Sequence, residues 1–143
     1  DASVPDQESE ESADLVIADL PCSGLGVIGK KPDLKYKASP DGIESLVRLQ
    51  REILSCAQSY VKPGGTLVYS TCTVNPAENM DNVHWFLEQY PEFSPDDIHD
   101  RLCPELQDSV MEKGCIQLLP GVHKSDGFFI ARLAKRHGGD QEL

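Results

Sequence analysis

The sequence predicts an α/β fold, a mostly parallel sheet with a terminal antiparallel strand, from three observations. Short apolar runs bounded by Gly and Pro alternate with longer segments of helical periodicity. The first run, Leu15–Leu20, is apolar almost throughout, as suits a strand buried on both faces of a parallel sheet. The last two runs are separated only by a turn-rich loop, so they are expected to pair antiparallel, with the closing strand at the sheet edge.

Taken in order, residues 1–13 are polar and acidic, with Glu8, Glu10 and Glu11 beside Ser9 and Ser12, and read as a linker or long loop. The strand Leu15–Leu20 leads into a Gly- and Pro-containing loop from Cys22 to about Ser39. Ser39 is a helix N-cap with Pro40 at the first helical position. Ile43, Leu46, Val47, Ile53, Leu54, Ala57 and Val61 then trace one apolar stripe, and Pro63-Gly64-Gly65 is expected to stop the helix. Thr66–Ser70 reads as a second strand. A second helix is expected near Asn75, with a capping box formed by Asn75 and Glu78, an inner face of Val83, Phe86 and Leu87, and an end at Tyr90-Pro91. Residues 92–113 read as irregular and acidic, and Cys115–Leu119 and Phe128–Leu133 as the closing strand pair. One domain thus spans 14–134, and 135–143 is a polar tail.

Composition narrows the function classes. In 143 residues, 39% are apolar and 26% charged, ordinary for a globular protein. No apolar run reaches the ~20 residues of a membrane span, and no signal-peptide pattern opens the sequence. Five cysteines at irregular spacing do not form a disulfide framework, so free thiols in a reducing cytoplasm are expected. No cysteine pair has zinc-ligand spacing, and His99 with Cys103 is too sparse; no metal is expected. The net charge of −11 argues against a self-sufficient nucleic-acid binder. Lys30, Lys31, Lys35 and Lys37 are a local exception, either a solvated loop or a phosphate-contacting one.

Two segments carry the chemistry. Asp19-Leu20-Pro21-Cys22-Ser23-Gly24 and Tyr69-Ser70-Thr71-Cys72-Thr73 each place a cysteine just beyond a strand. Ligands of open parallel sheets bind beyond the carboxyl ends of the strands, so Asp19, Cys22 and Cys72 would converge if the strands are neighbours. Cys56, Cys103 and Cys115 read instead as small buried hydrophobes. The run Gly24 to Lys31 nearly matches a phosphate-binding loop, G-x-x-x-x-G-K. Lys31 stands where Ser or Thr should bind magnesium, Pro32 disrupts the helix that should follow, and the strand ends four residues early. These glycines are better suited to a tight turn beside a bound base.

These residues resemble a family. Asp19 to Gly26 is similar to the fourth motif of RNA cytosine-5 methyltransferases, and Lys31-Pro32-Asp33-Leu34-Lys35-Tyr36 to the segment that follows it. Leu49-Gln50 and Lys62 to Thr73 resemble the family's next helix and sixth motif, continued by Asn75-Pro76-Ala77-Glu78-Asn79. Leu119-Pro120-Gly121 and Ser125 to Ala131 resemble its last hairpin. The likeness covers residue 14 to about 134 and points to the bacterial Sun/Fmu branch, which methylates 16S ribosomal RNA.

The resemblance implies the C-terminal half of a Rossmann-like, S-adenosylmethionine-dependent methyltransferase domain, with four strands in a contiguous half-sheet. It implies Cys72 as the thiolate that adds to carbon 6 of cytosine and so activates carbon 5. Asp19 would contact the polar edge of the base, and Cys22, on a loop stiffened by Pro21, would assist release of the methylated product. Cofactor contacts are expected at Asp19, Pro21 and Asp1, Asp1 being either a remnant of the adenine-binding third motif or a free terminal residue. Lys30, Lys31 and Lys35 are the expected RNA contacts, and small-subunit ribosomal RNA the partner. The family's Gly-rich cofactor turn, ribose-binding acid and NusB-like domain do not occur in the sequence, so weak cofactor affinity and self-association through a bare strand edge are expected. The alternative is a non-catalytic RNA-binding or interaction fragment.

Overall fold

A computed structural model describes residues 1–27, 30 and 39–139. Strand β1 (Ala13–Asp19) is followed by helix α1 (Pro40–Tyr60), strand β2 (Val61–Thr71), helix α2 (Met80–Gln89), strand β3 (Phe93–Pro95), the single-turn helix α3 (Pro104–Gln107), strand β4 (Cys115–Leu118) and strand β5 (Phe128–Lys135). The sheet runs β1-β2-β5-β3, with β4 also on β5.

The β1–β2 pair is parallel, and β5 is antiparallel to β2, β3 and β4. Four strands therefore point one way and β5 the other, yet only one pairing among the described strands is parallel. The closing strand lies inside the sheet, not at its edge. Residues 119–127 turn the chain back after β4, and β5 enters between β2 and β4, replacing one parallel contact with two antiparallel ones. β3 and β4 share the far edge of β5, pairing with 133–135 and 128–131 respectively. This makes five strands where four are expected. β3 is three residues long and contains Pro95, so it carries no periodicity, and its proline is tolerated at an edge.

Ser39 caps α1 as expected, its Oγ accepting from the Gly42 amide at 3.1 Å. The helix ends at Tyr60, three residues before the expected stop, and the chain passes directly into β2. Lys62-Pro63-Gly64-Gly65 form a bulge between the pairings Ala13↔Val61 and Leu15↔Thr66, with Gly64 at φ +82°. The segment before β1 lies along α1: the amides of Asp6 and Glu11 donate to Tyr60 OH (2.9 Å) and Ser59 O (2.8 Å).

Both main helices cover the same face of the sheet. Ala18, Leu20, Leu67, Tyr69, Phe129, Ala131 and Leu133 pack there against Leu54 and Ala57 of α1 and Val83 and Phe86 of α2. Full burial of the Leu, Val and Phe side chains among these stabilises by about 1.5–3 kcal/mol each. On the opposite face no described helix lies over the sheet. Leu15 is 50% and Ile17 67% exposed, and Phe128 and Ile130 are partly exposed on β5. The expectation of a first strand buried on both faces therefore fails: β1 is buried on one face and, among the described strands, paired along one edge alone. Such an edge templates further strand pairing. Sedimentation is expected to show concentration-dependent association of this chain, reduced by Ile17→Lys. A monomer at every concentration would show that the edge is inert.

Candidate active site

β1 and β2 are in parallel register with Asp19 opposite Ser70, so the loops that follow them leave the sheet side by side. Ser70 Oγ donates to Asp19 Oδ1 at 3.0 Å, and the Leu20 amide donates to Ser70 O at 3.0 Å. Beyond these contacts the Sγ atoms of Cys22 and Cys72 lie 3.1 Å apart. Both cysteines are half-buried and neither is in a disulfide. Asp19, at the exposed end of β1, shares this end of the sheet.

The two loops are joined beneath the cysteines by Glu78, which is 0% exposed. Its Oε1 accepts from the Ser23 amide (2.8 Å) and Gln50 Nε2 (3.1 Å). Its Oε2 accepts from Ser23 Oγ (2.7 Å), Asn75 Nδ2 (3.1 Å) and Thr73 Oγ1 (3.3 Å). Gln50 also donates to Pro21 O at 2.9 Å, fixing the loop on the other side of Cys22. Asn79 holds the second loop: it accepts from Thr71 Oγ1 (2.6 Å) and donates to Thr73 O (2.9 Å), on either side of Cys72. Each cysteine is thus bracketed by side-chain hydrogen bonds to its own neighbours. The expected capping box is replaced by this arrangement. Asn75 caps a single 3-10 turn, Pro76–Glu78, before α2 begins at Met80, and Glu78 turns inward instead of back to the backbone N–H of Asn75, which donates to Thr73 Oγ1.

A backbone clasp closes the site from the β4–β5 side. The Gly26 amide donates to Cys72 O at 3.0 Å, and the Gly127 amide donates to Gly26 O at 2.7 Å. A Cβ on Gly26 would press on the Gly127 carbonyl and lie 2.8 Å from Cys72 O, so only glycine permits this approach. Lys30 Nζ reaches Asp126 at 2.7 Å across the same junction. That pair is exposed and contributes at most about 1 kcal/mol.

Burial, then the hydrogen bond with Cys72, pushes the Cys22 thiol up to about 12. Cys22 therefore carries its proton at neutral pH, and its thiol faces the Cys72 sulfur. Two neighbouring sulfurs, one of them held protonated by burial, can act as a nucleophile and a proton-bearing partner.

A cavity of about 320 Å³ lies beside Asp19, Leu20 and Pro21, walled by Ala2, Val16, Ile17, Ala18, Ile53, Ala57 and Tyr60. Its size and apolar walls suit a small-molecule site. Ala2 brings the chain start to this cavity, while Asp1 Oδ1 accepts from the amide and hydroxyl of Ser3. Lys31, Lys35 and Lys37 lie outside the described residues. Cys56 and Cys115 are buried as expected, but Cys103 is exposed, because it caps the start of the surface turn α3 and packs into no core.

Glu78, Ser23, Gln50, Thr73 and Asn79 carry the geometry of the site, and motif reading assigned none of them that task. A usable signal was present at Gln50, a polar residue spaced to fall on the apolar stripe of α1 and fully buried in the fold.

Comparison with known proteins agrees with this arrangement. Residues 1–134 match the family model for 16S rRNA methyltransferase RsmB/F. The chain is 42% identical over 126 residues to the probable ribosomal RNA small subunit methyltransferase B of Bacillus subtilis (strain 168), covering 88% of this chain and 28% of that protein. It is 40% identical over 128 residues to ribosomal RNA small subunit methyltransferase F of Escherichia coli O9:H4 (strain HS), covering 87% and 26%. Among solved structures, that of PH0851 superposes with a TM-score of 0.79 at 40% identity, covering 88% of this chain and 27% of that one. NSun6 from Pyrococcus horikoshii, solved with SFG, superposes at 0.65 with 29% identity, covering 85% and 30%. The chain thus spans little more than a quarter of the curated relatives it matches. With a matching model over residues 1–134 and a cysteine pair at neighbouring strand ends, this chain belongs to the 16S rRNA methyltransferase RsmB/F family.

Proposed function

We propose that this chain supplies the base-modifying, C-terminal half of the catalytic domain of an enzyme that methylates carbon 5 of a cytosine in 16S ribosomal RNA, using S-adenosylmethionine. The observation that carries the reading is the 3.1 Å approach of Cys22 and Cys72 at the ends of two parallel strands. The names of the relatives support methylation of small-subunit ribosomal RNA. The SFG held by the P. horikoshii relative is an analogue of S-adenosylmethionine, which supports the cofactor.

Carbon 5 of cytosine is a poor nucleophile until the 5,6 double bond is broken. The Cys72 sulfur adds to carbon 6, and the displaced electron pair makes carbon 5 reactive. Asp19, at the mouth of the site, binds the ring nitrogen and exocyclic edge where charge develops during that addition. After methylation, a solvent water takes the proton from carbon 5, that C–H electron pair re-forms the 5,6 double bond, and the S–C6 bond breaks with its electrons returning to Cys72 as the thiolate. The protonated Cys22 hydrogen-bonds to that departing sulfur and eases release. The cavity lined by Asp19 and Pro21 would take part of the cofactor, with Asp19 and Pro21 as holding residues and Asp1, next to the wall residue Ala2, as a third. S-adenosylmethionine, when bound, supplies the methyl group. Lys30, with Lys31 and Lys35, is the phosphate contact. The charge of −11 places most RNA affinity elsewhere in a protein of the relatives' length, or favours the rival reading of a non-catalytic interaction module.

Two experiments in a polypeptide of the relatives' full length separate these readings. Cys72→Ala should abolish covalent trapping on RNA bearing 5-fluorocytosine, whereas Cys22→Ala should accumulate the Cys72 adduct on ordinary RNA. Trapping that survives Cys72→Ala and disappears in Cys22→Ala would reverse the two roles. Asp19→Asn keeps the shape and removes the acid, so single-turnover methyl transfer should fall by ~10² or more with little change in RNA affinity. An unchanged rate would leave Asp19 the structural task of accepting from Ser70.

A further inference from the structure

We infer that Glu78 is a positioning residue whose buried carboxylate holds the Cys22 and Cys72 loops at working distance. The inference rests on the two-cysteine reading above.

Every partner of Glu78 is a donor. Two, the Ser23 amide and Gln50 Nε2, converge on Oε1. Asn75 Nδ2 reaches Oε2 with the hydroxyls of Ser23 and Thr73, which also contact each other at 2.9 Å. A carboxylate accepts at both oxygens, whereas a carboxamide must place two N–H groups at one of them. At Oε1 those would oppose a backbone amide. At Oε2 they would oppose the Asn75 amide, whose own orientation is fixed because Asn75 Oδ1 accepts from the Ala77 amide at 3.1 Å. Neither flip of a glutamine satisfies the site.

The orientation of Gln50 is set from farther away. Arg51 Nε, which can only donate, gives its proton to Asn82 Oδ1 at 3.0 Å. Asn82 Nδ2 must then donate to Gln50 Oε1, at 2.9 Å, which turns Gln50 Nε2 toward Glu78 and Pro21 O. The chain of donors therefore runs one way, from Arg51 on α1 to the carboxylate. Its end point touches Ser23, the residue after Cys22, and Thr73, the residue after Cys72. With charge and shape satisfied, the two loops have one relative placement, and the sulfurs are held 3.1 Å apart.

Cysteine pairing reads this placement without RNA or cofactor. In this chain, oxidised glutathione exchanges with Cys72 to give a mixed disulfide and one glutathione. Cys22 then displaces the second glutathione to form the Cys22–Cys72 bond, two thiols being oxidised as one disulfide is reduced. Mass spectrometry follows the internal disulfide, and circular dichroism reports whether the variant is folded. Glu78→Gln, folded, should form that disulfide about tenfold more slowly, with Glu78→Asp intermediate; a 1 Å misplacement at a reacting pair commonly costs that much or more. Folded Glu78→Gln that pairs its cysteines at the parent rate would overturn the inference. If Glu78→Gln does not fold, the double variant Ser23→Ala/Thr73→Val, which removes two of the three contacts to Oε2, decides: slower pairing supports the inference and unchanged pairing overturns it. Failure of 5-fluorocytosine trapping with parent-like dependence of pairing on Glu78 would instead count against the methyl-transfer reading alone.

Discussion

The buried carboxylate of Glu78 is the constraint on which the rest of the site depends. A carboxylate removed from water is costly unless its oxygens are hydrogen-bonded, and leaving a buried polar group unsatisfied costs about 1–3 kcal/mol, more for a charged one. Here five donors from α1, the loop after β1 and the loop after β2 converge on it. Hydrogen bonds to a charged group contribute about 1.5–3 kcal/mol each. The contribution depends on all three segments being in place together, so the site and the local fold form as one unit.

The sheet supplies what the hydrogen bonds cannot, the side-by-side exit of the two loops. Parallel pairing of β1 and β2 requires the α1 crossover between them. That helix, packed through Leu54 and Ala57, is also the one that carries Gln50 and Arg51 to the carboxylate. Tyr69 on β2 links the core to the network by donating to Glu78 O and packing edge-on against Phe129 at 5.7 Å. The antiparallel strand β5 holds the other flank of β2 and, through Gly127 and Gly26, closes over Cys72.

Much of this was legible in the sequence. The strand–helix–strand order, the Ser39 cap and the inner residues Val83 and Phe86 follow from periodicity and turn chemistry, and the structure has each. The apolar runs placed the two cysteines at strand ends, and their approach was expected only if those strands were neighbours, as β1 and β2 are. Less could be read where tertiary contacts override local rules. Pro63-Gly64-Gly65 looks like a helix stop but serves as a bulge, since β1 offers hydrogen bonds to the chain on both sides of it. Asn75 and Glu78 have capping-box spacing, yet Glu78 finds better partners in Ser23 and Gln50, far away in sequence. Leu15 and Ile17 gave a correct strand and a wrong burial, because composition cannot say which face another layer covers.

The two adjacent sulfurs have different tasks in the proposed reaction, Cys72 as the nucleophile and Cys22 as the thiol that keeps its proton. Burial and the Cys72 contact raise Cys22 to about 12, so it should stay protonated, and slow to react, through neutral and mildly alkaline pH. The most direct measurement is site-resolved alkylation by iodoacetamide, followed by mass spectrometry from neutral to mildly alkaline pH. Cys72 should be labelled first throughout, with Cys22 lagging even at the alkaline end. Cys22 labelling as fast as Cys72, or faster, at neutral pH would overturn this division of tasks.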